Sequence, residues 1–249
     1  MIERVKENLR KVRCYHSINH LEVGIKTANE KELTYLEFLS WILDRECESR
    51  NQNRIKRLLK RSNIPAIKTF DGFDFSYQHS VTKRQIKEWL NFTWIDQREN
   101  KIFMGQPGVG KTHIASALAY EAINAGYSAY FYPVNDLMDE LLLANHENEV
   151  DGFIKKLAKH DLIVIDEMGY LPFSQVQANL FFQLVNFLYE FRSVIITSNK
   201  MFNEWALTFG DQSIAAAIID RIVHHAEALV IMGDSYRLKD KMKDKNVVF

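Results

Sequence analysis

Several things that would direct a reading elsewhere are scarce in this chain. Its 249 residues include two cysteines, Cys14 and Cys47, and four prolines. Two well-separated thiols form neither a zinc ligand set nor a disulfide framework, and they fit a reducing compartment better than an oxidising one. No run of eighteen apolar residues occurs, and Met1-Ile2-Glu3-Arg4 is not the start of an apolar secretory segment. The expectation is a cytoplasmic protein that neither spans a membrane nor is exported. Internal repeats and low-complexity tracts are missing, which excludes a solenoid. Net charge is missing too, since 32 Lys and Arg balance 32 Asp and Glu.

That balance hides an asymmetry. Residues 1–68 hold 15 basic and 9 acidic side chains, whereas residues 69–249 hold 17 and 23. A basic front part on an acidic remainder points to different partners for the two. The front part reads as all-helical. Thr34-Tyr35-Leu36-Glu37 is a capping box that opens a long segment in which Leu36, Leu39 and Leu43 recur at helical spacing, with Phe38 and Ile42 widening the apolar face. Pro65 ends the helical region, so the domain boundary is expected near residue 67. Phe73-Asp74-Phe75 follows, and then a second capping box, Thr82-Lys83-Arg84-Gln85.

From there the pattern alternates. Apolar strands are expected at 101–104, 128–132, 161–166, 193–197 and 228–232, separated by helical segments. Together they predict an α/β domain with a five-stranded parallel sheet covered on both faces.

The loop after the first of these strands carries the strongest chemical signal. Gly105, Gln106, Pro107, Gly108, Val109, Gly110, Lys111 and Thr112 match G-x-x-x-x-G-K-[ST]; with His113, which continues into a helix, they are the expected nucleotide contacts. The glycines let backbone N–H groups converge on phosphates, and the helix that follows adds its positive end. Lys111 is suited to the β- and γ-phosphates and the Thr112 hydroxyl to Mg²⁺. A second signal is Asp166-Glu167 at the end of a buried strand. Asp166 is placed to hold Mg²⁺, and Glu167 to polarise an attacking water. Thr197-Ser198-Asn199 ends the next strand with polar side chains. Asn199-Lys200 begins a guanine-recognition pattern, but Phe202 stands where that pattern needs Asp, which argues against GTP. Arg221 and Arg237 are arginines that could stabilise phosphate charge from a neighbouring subunit, and each also fits a surface ion pair. Arg50, Arg54, Arg57 and Arg61 form one stripe down a helix. It suits a nucleic-acid backbone or a solvated basic face.

With these motifs in order, the chain resembles the IstB-like AAA+ ATPases, helpers of insertion-sequence transposition related in type to the DnaC helicase loader. The resemblance extends over Gly105–Thr112, residues 161–170, Ile196-Thr197-Ser198-Asn199, Asn203-Glu204-Trp205, residues 217–222 and Gly233-Asp234-Ser235-Tyr236-Arg237. It implies a P-loop AAA+ domain after a small helical N-terminal domain. It also implies ATP and Mg²⁺ as ligands, self-assembly, binding to double-stranded DNA, and contact with a transposase. Lys111 and Thr112 then match Walker A, Asp166 and Glu167 Walker B, Asn199 sensor 1, Arg221 an arginine finger acting in trans, and Arg237 sensor 2. Residues 134–160 match a helical insertion that faces DNA in such relatives, which makes Lys155, Lys156 and Lys159 candidate contacts. The 17 residues from Gly233 onward are too few for the usual helical lid, so a truncated lid is expected. Two alternatives keep the same site: a DnaC-type helicase loader, and an ATP-gated DNA scaffold without turnover.

Overall fold

The computed structural model describes residues 1–236; Arg237 lies outside the described residues, as do all but the first four residues of the stretch in which a truncated lid is expected. The chain divides into two compact units, Met1–Arg57 and the remainder from Leu58.

In the first unit α1 (Ile2–Lys11), α2 (Tyr15–Glu30) and α3 (Tyr35–Arg61) follow one another. The first capping box forms as read: the Thr34 backbone N–H and hydroxyl both reach Glu37 Oε2, and the Glu37 N–H returns to Thr34 Oγ1. The inward face of α3 differs from the expected leucine stripe. Ile42 and Glu46 are buried, whereas Leu36, Leu39 and Leu43 are exposed. A polar contact sets this rotation. Glu46 Oε2 accepts from both the backbone N–H and the hydroxyl of buried Ser17 on α2, at 2.9 and 3.2 Å.

In the second unit α3 ends and Ser62-Asn63 joins the sheet: the Phe131 N–H donates to the Ser62 carbonyl, and the Asn63 amide to the Phe131 carbonyl. These bonds explain why the division falls ahead of Pro65 rather than beyond it. The elements that follow are α4 (Lys83–Trp89), α5 (Thr93–Asp96), β1 (Asn100–Met104), α6 (Lys111–Asn124), β2 (Ala129–Pro133), α7 (Val134–His146), α8 (Val150–Leu157) and β3 (Leu162–Met168). Then come α9 (Gln175–Leu188), β4 (Ser193–Ser198), α10 (Trp205–Phe209), α11 (Gln212–His224) and β5 (Ala226–Val230). The boxes at Thr82 and Ser174 cap α4 and α9.

The sheet is parallel throughout, in the order β2-β3-β4-β1-β5. Strands covered on both faces need apolar side chains at every position, and β1, β3 and β4 are buried almost end to end. Ile102, Ile163, Ile165 and Ile196 on one face pack with α7, α9 and α11. The order carries the chain from β1 across two strands to β2 and later past β1 to β5. The end of β1 is therefore a crossing point, where ligands of open α/β sheets bind beyond the strand C-termini. β5 begins two residues before its expected start. Glu227 interrupts its apolar pattern but pairs in register with Lys101 of β1.

Candidate nucleotide-binding site

Gly105 and Gly108 adopt left-handed backbone conformations, with φ of 146° and 84°. Each also lies where no side chain fits: a Cβ would meet the Ile231 carbonyl oxygen at Gly105 and the Ser235 hydroxyl at Gly108. The loop thus curls tightly into Gly110, the N-cap of α6. The first intrahelical bond runs from the Ile114 N–H to the Gly110 carbonyl. The N–H groups of Lys111, Thr112 and His113 precede that bond and point out of the helix start, an arrangement suited to phosphate. Lys111 Nζ reaches back to the Gly105 and Gln106 carbonyls at 2.7 and 2.9 Å, so its ammonium lies over the loop.

Across the crossing point β3 delivers Asp166 and Glu167. Asp166 is buried, and its Oδ1 accepts from the Thr112 hydroxyl at 2.9 Å and from the Thr197 hydroxyl. Burial pushes its carboxyl above the ordinary aspartate value. The two hydroxyls, the Lys111 charge and the Glu167 N–H oppose that rise without cancelling it. A bulge follows: β3 pairs Ile165 with Ile196 but Met168 with Ser198, one residue too many on β3. Glu167 takes up the extra length in a left-handed conformation, φ 65°, and its side chain is exposed. The bulge breaks the two-residue alternation and turns the glutamate out of the sheet. Asn199, one residue past β4, has its Oδ1 buried with no hydrogen-bond partner among the described residues.

The residues expected to hold Mg²⁺, Thr112 and Asp166, are therefore in contact, and both supply hard oxygen donors that suit the ion. Beside the loop lies a cavity of about 450 Å³, lined on its far side by Pro65, Ala66, Phe73, Tyr77 and Gln78. Sequence reading passed over these connector residues as binding groups. The signal was the density of aromatics between Phe70 and Tyr77 in an otherwise polar stretch. His113, read as a nucleotide contact, turns its ring to this connector, with Nε2 2.9 Å from the Thr69 carbonyl. The end of the described chain closes the other side: the Tyr236 N–H donates to the Gly108 carbonyl, and the Tyr236 ring packs edge-on to Tyr77.

The glycine cradle, the lysine over it and the Thr112–Asp166 pair lie together and form one candidate phosphate site. Over residues 8–244 the chain matches the family model described as IstB-like ATP binding protein. The chain belongs to this family. A protein of insertion sequence IS21 from Pseudomonas aeruginosa, whose name gives it as ATP-binding, is 40% identical over 94% of this chain and 89% of its own length. A similarly named protein of insertion sequence IS232 from Bacillus thuringiensis is 37% identical over 98% of each. Among solved structures, the DnaC helicase loader aligns with a TM-score of 0.53 at 24% identity, over 60% of this chain and 87% of its own. The AMPPCP-bound DnaA of Aquifex aeolicus aligns with a TM-score of 0.55 at 20% identity, over 72% and 55%. These two likenesses concern the fold alone, a parallel α/β sheet flanked by helices.

The remaining expected residues lie apart from the phosphate site. Arg221, on α11, donates to Asn186 Oδ1 at 2.9 Å and to the Ala217 carbonyl, and it stacks over the Phe182 ring. Its neighbour Ile222 offers a carbonyl to the amide of Asn100, the first residue of β1. Arg221 is thus at the sheet edge opposite the loop, and five strand residues span roughly 16 Å. On α8, Lys155 and Lys156 are exposed, as is Lys159 just beyond it; Lys155 pairs with Asp151 at 2.6 Å. Arg54, Arg57 and Arg61 are exposed along α3. Arg50 is exposed as well, and it bonds Glu46 at 2.8 Å and the Arg13 carbonyl at 2.7 Å.

Proposed function

We propose that this protein is a transposition helper ATPase that assembles on double-stranded DNA, shapes or selects it, and recruits a transposase. The observation that carries the reading is the convergence of Lys111, Thr112, Asp166 and Glu167 at one sheet edge, in a chain whose relatives at 37–40% identity come from insertion sequences.

ATP would lie with its phosphates on Gly105–Thr112 and its base toward Phe73 and Tyr77. Lys111 would leave the loop carbonyls for the β- and γ-phosphates. Thr112 and Asp166 would hold Mg²⁺, which when bound neutralises charge on the phosphate oxygens. Glu167, exposed beside Asp166, would take a proton from water as the water oxygen bonds to the γ-phosphorus and the bond to the ADP oxygen breaks. Asn199, with its unpartnered Oδ1, would accept from that water and orient it. Arg221 would act on a neighbouring copy's site, a role supported by its distance from its own loop. Arg237 is proposed for the same phosphates on the family match alone. Arg54, Arg57, Arg61 and the lysines of residues 155–159 would meet the DNA backbone. No helix among the described residues is long and apolar enough to cross a membrane, and cytoplasmic action on DNA fits the reading.

The test is ATP hydrolysis with and without duplex DNA, in the natural protein and in Glu167→Gln. The natural protein should hydrolyse ATP faster on DNA. The variant should bind ATP and assemble on DNA yet lose about 100-fold or more in turnover, within the range of a general-base loss. Equal, slow rates in both proteins, with intact assembly, would make the protein a non-hydrolysing scaffold.

A further inference from the structure

β4 reads Ser193-Val194-Ile195-Ile196-Thr197-Ser198 and is buried throughout. Valine has nearly the same shape as threonine and an equal liking for strands, so a hydroxyl at 197 adds only the cost of burying a polar group. That cost is offset where the hydroxyl finds partners, and Thr197, 1% exposed, finds two. It donates to Asp166 Oδ1 and accepts the Glu167 backbone N–H at 3.0 Å. The second bond falls at the bulge, on a residue held in the left-handed backbone conformation that side-chain-bearing residues disfavour. The left-handed turn puts the Glu167 side chain outside the sheet, and the Thr197 hydroxyl is what that N–H donates to there. One hydroxyl therefore ties the expected metal carboxylate to the backbone that aims the expected base.

We propose that Thr197 is a positioning residue for hydrolysis, its hydroxyl setting the aim of Asp166 and Glu167 together from the neighbouring strand. Thr197 touches neither nucleotide nor water in this scheme and acts only through the two acidic residues. The inference rests on the ATPase reading above and adds the residue that couples its metal ligand to its base.

Thr197→Val keeps the volume and removes the hydroxyl; Thr197→Ser keeps the hydroxyl. Steady-state ATP hydrolysis on DNA, titrated in ATP and in Mg²⁺, separates the effects. In Thr197→Val, kcat should fall about 10- to 100-fold, the usual loss when an outer partner of a metal ligand is removed. KM for ATP should stay within about twofold, and half-saturation should need more Mg²⁺. Thr197→Ser should return kcat to within about threefold of the natural protein. A second readout is independent of turnover: a fluorescent ATP analogue should bind both proteins equally in EDTA, and when Mg²⁺ is titrated at fixed analogue the Mg²⁺-dependent change in binding should need more Mg²⁺ in Thr197→Val. Should Thr197→Val not fold, Thr197→Cys, whose thiol is a poor donor, takes its place with the same expectations. A hydroxyl-free variant that matches the natural protein in kcat and Mg²⁺ requirement overturns the proposal. If the natural protein hydrolyses no ATP, the ATPase reading fails on its own, and the Mg²⁺-dependent binding arm still decides whether Thr197 holds Asp166.

Discussion

Asp166 works against the fold that holds it. Its carboxylate is buried beside two hydroxyls, and burial raises its pKa despite them. A group whose folded pKa lies above the unfolded value favours folding below the unfolded pKa and loses that contribution as pH rises through the folded one. At neutral pH, without nucleotide or metal, the Asp166 charge therefore opposes folding. Asp166→Asn should raise the melting temperature of the nucleotide-free protein at pH 7 and abolish Mg²⁺-dependent hydrolysis. The thermal gain should shrink as pH falls into the carboxylate range. Differential scanning calorimetry across pH checks this, and an unchanged or lower melting temperature at pH 7 contradicts it. Such a cost is expected where a site is kept ready for a cation.

At the scale of elements, β5 is held by a polar contact that apolar periodicity hides. Lys101 of β1 is buried, and its Nζ meets Glu227 Oε2 at 2.7 Å. The Trp89 indole donates to the same oxygen, and the Trp94 ring lies 5.4 Å from the ammonium. This cluster joins α4 and α5 to β1 and β5, and β1 leads directly into the phosphate loop. Glu227→Ala would leave a buried ammonium without its partner. It should cost roughly 2 kcal/mol in urea unfolding, less than the 3–5 kcal/mol of a fully buried pair because Glu227 is 42% exposed. Adding Lys101→Met to that variant should recover most of the loss, since both charges are then gone.

For the molecule as a whole, the arginine stripe divides into two jobs. Arg50 belongs to the fold of the first unit. Burial would raise the Glu46 carboxyl, but bonds from Arg50 and Ser17 outweigh it and hold it below the ordinary glutamate value. A lowered carboxylate stabilises above its unfolded pKa, so the first unit should weaken as pH falls through the carboxylate range. Arg54, Arg57 and Arg61 remain as the proposed DNA-facing groups. Replacing these three with alanine should flatten the slope of log affinity for duplex DNA against log salt, by about 0.9 for each phosphate no longer neutralised. Arg50→Ala should instead lower the thermal stability of the first unit and leave the slope almost unchanged. If the triple variant keeps the natural slope, α3 is only a solvated basic face.

What the sequence determined by itself was local. Gly105–Thr112 is contiguous, and its spacing alone specifies a phosphate cradle; the capping boxes at Thr34 and Thr82 each close within one turn. The buried strands were legible because parallel strands covered on both faces need unbroken apolar runs. Tertiary structure decided whatever depends on pairing across distance. The bulge that aims Glu167 comes from the register of β3 against β4. Thr197 gains its meaning from a neighbouring strand, and Pro65, Phe73 and Tyr77 from the folding of the connector against the phosphate loop. The fate of Arg50 and of the leucines on α3 turned on one buried hydrogen-bonded group, Glu46 with Ser17. Hydrophobic spacing marks which faces are able to pack, and a buried polar group decides among them because leaving it unpaired costs more than exposing a leucine.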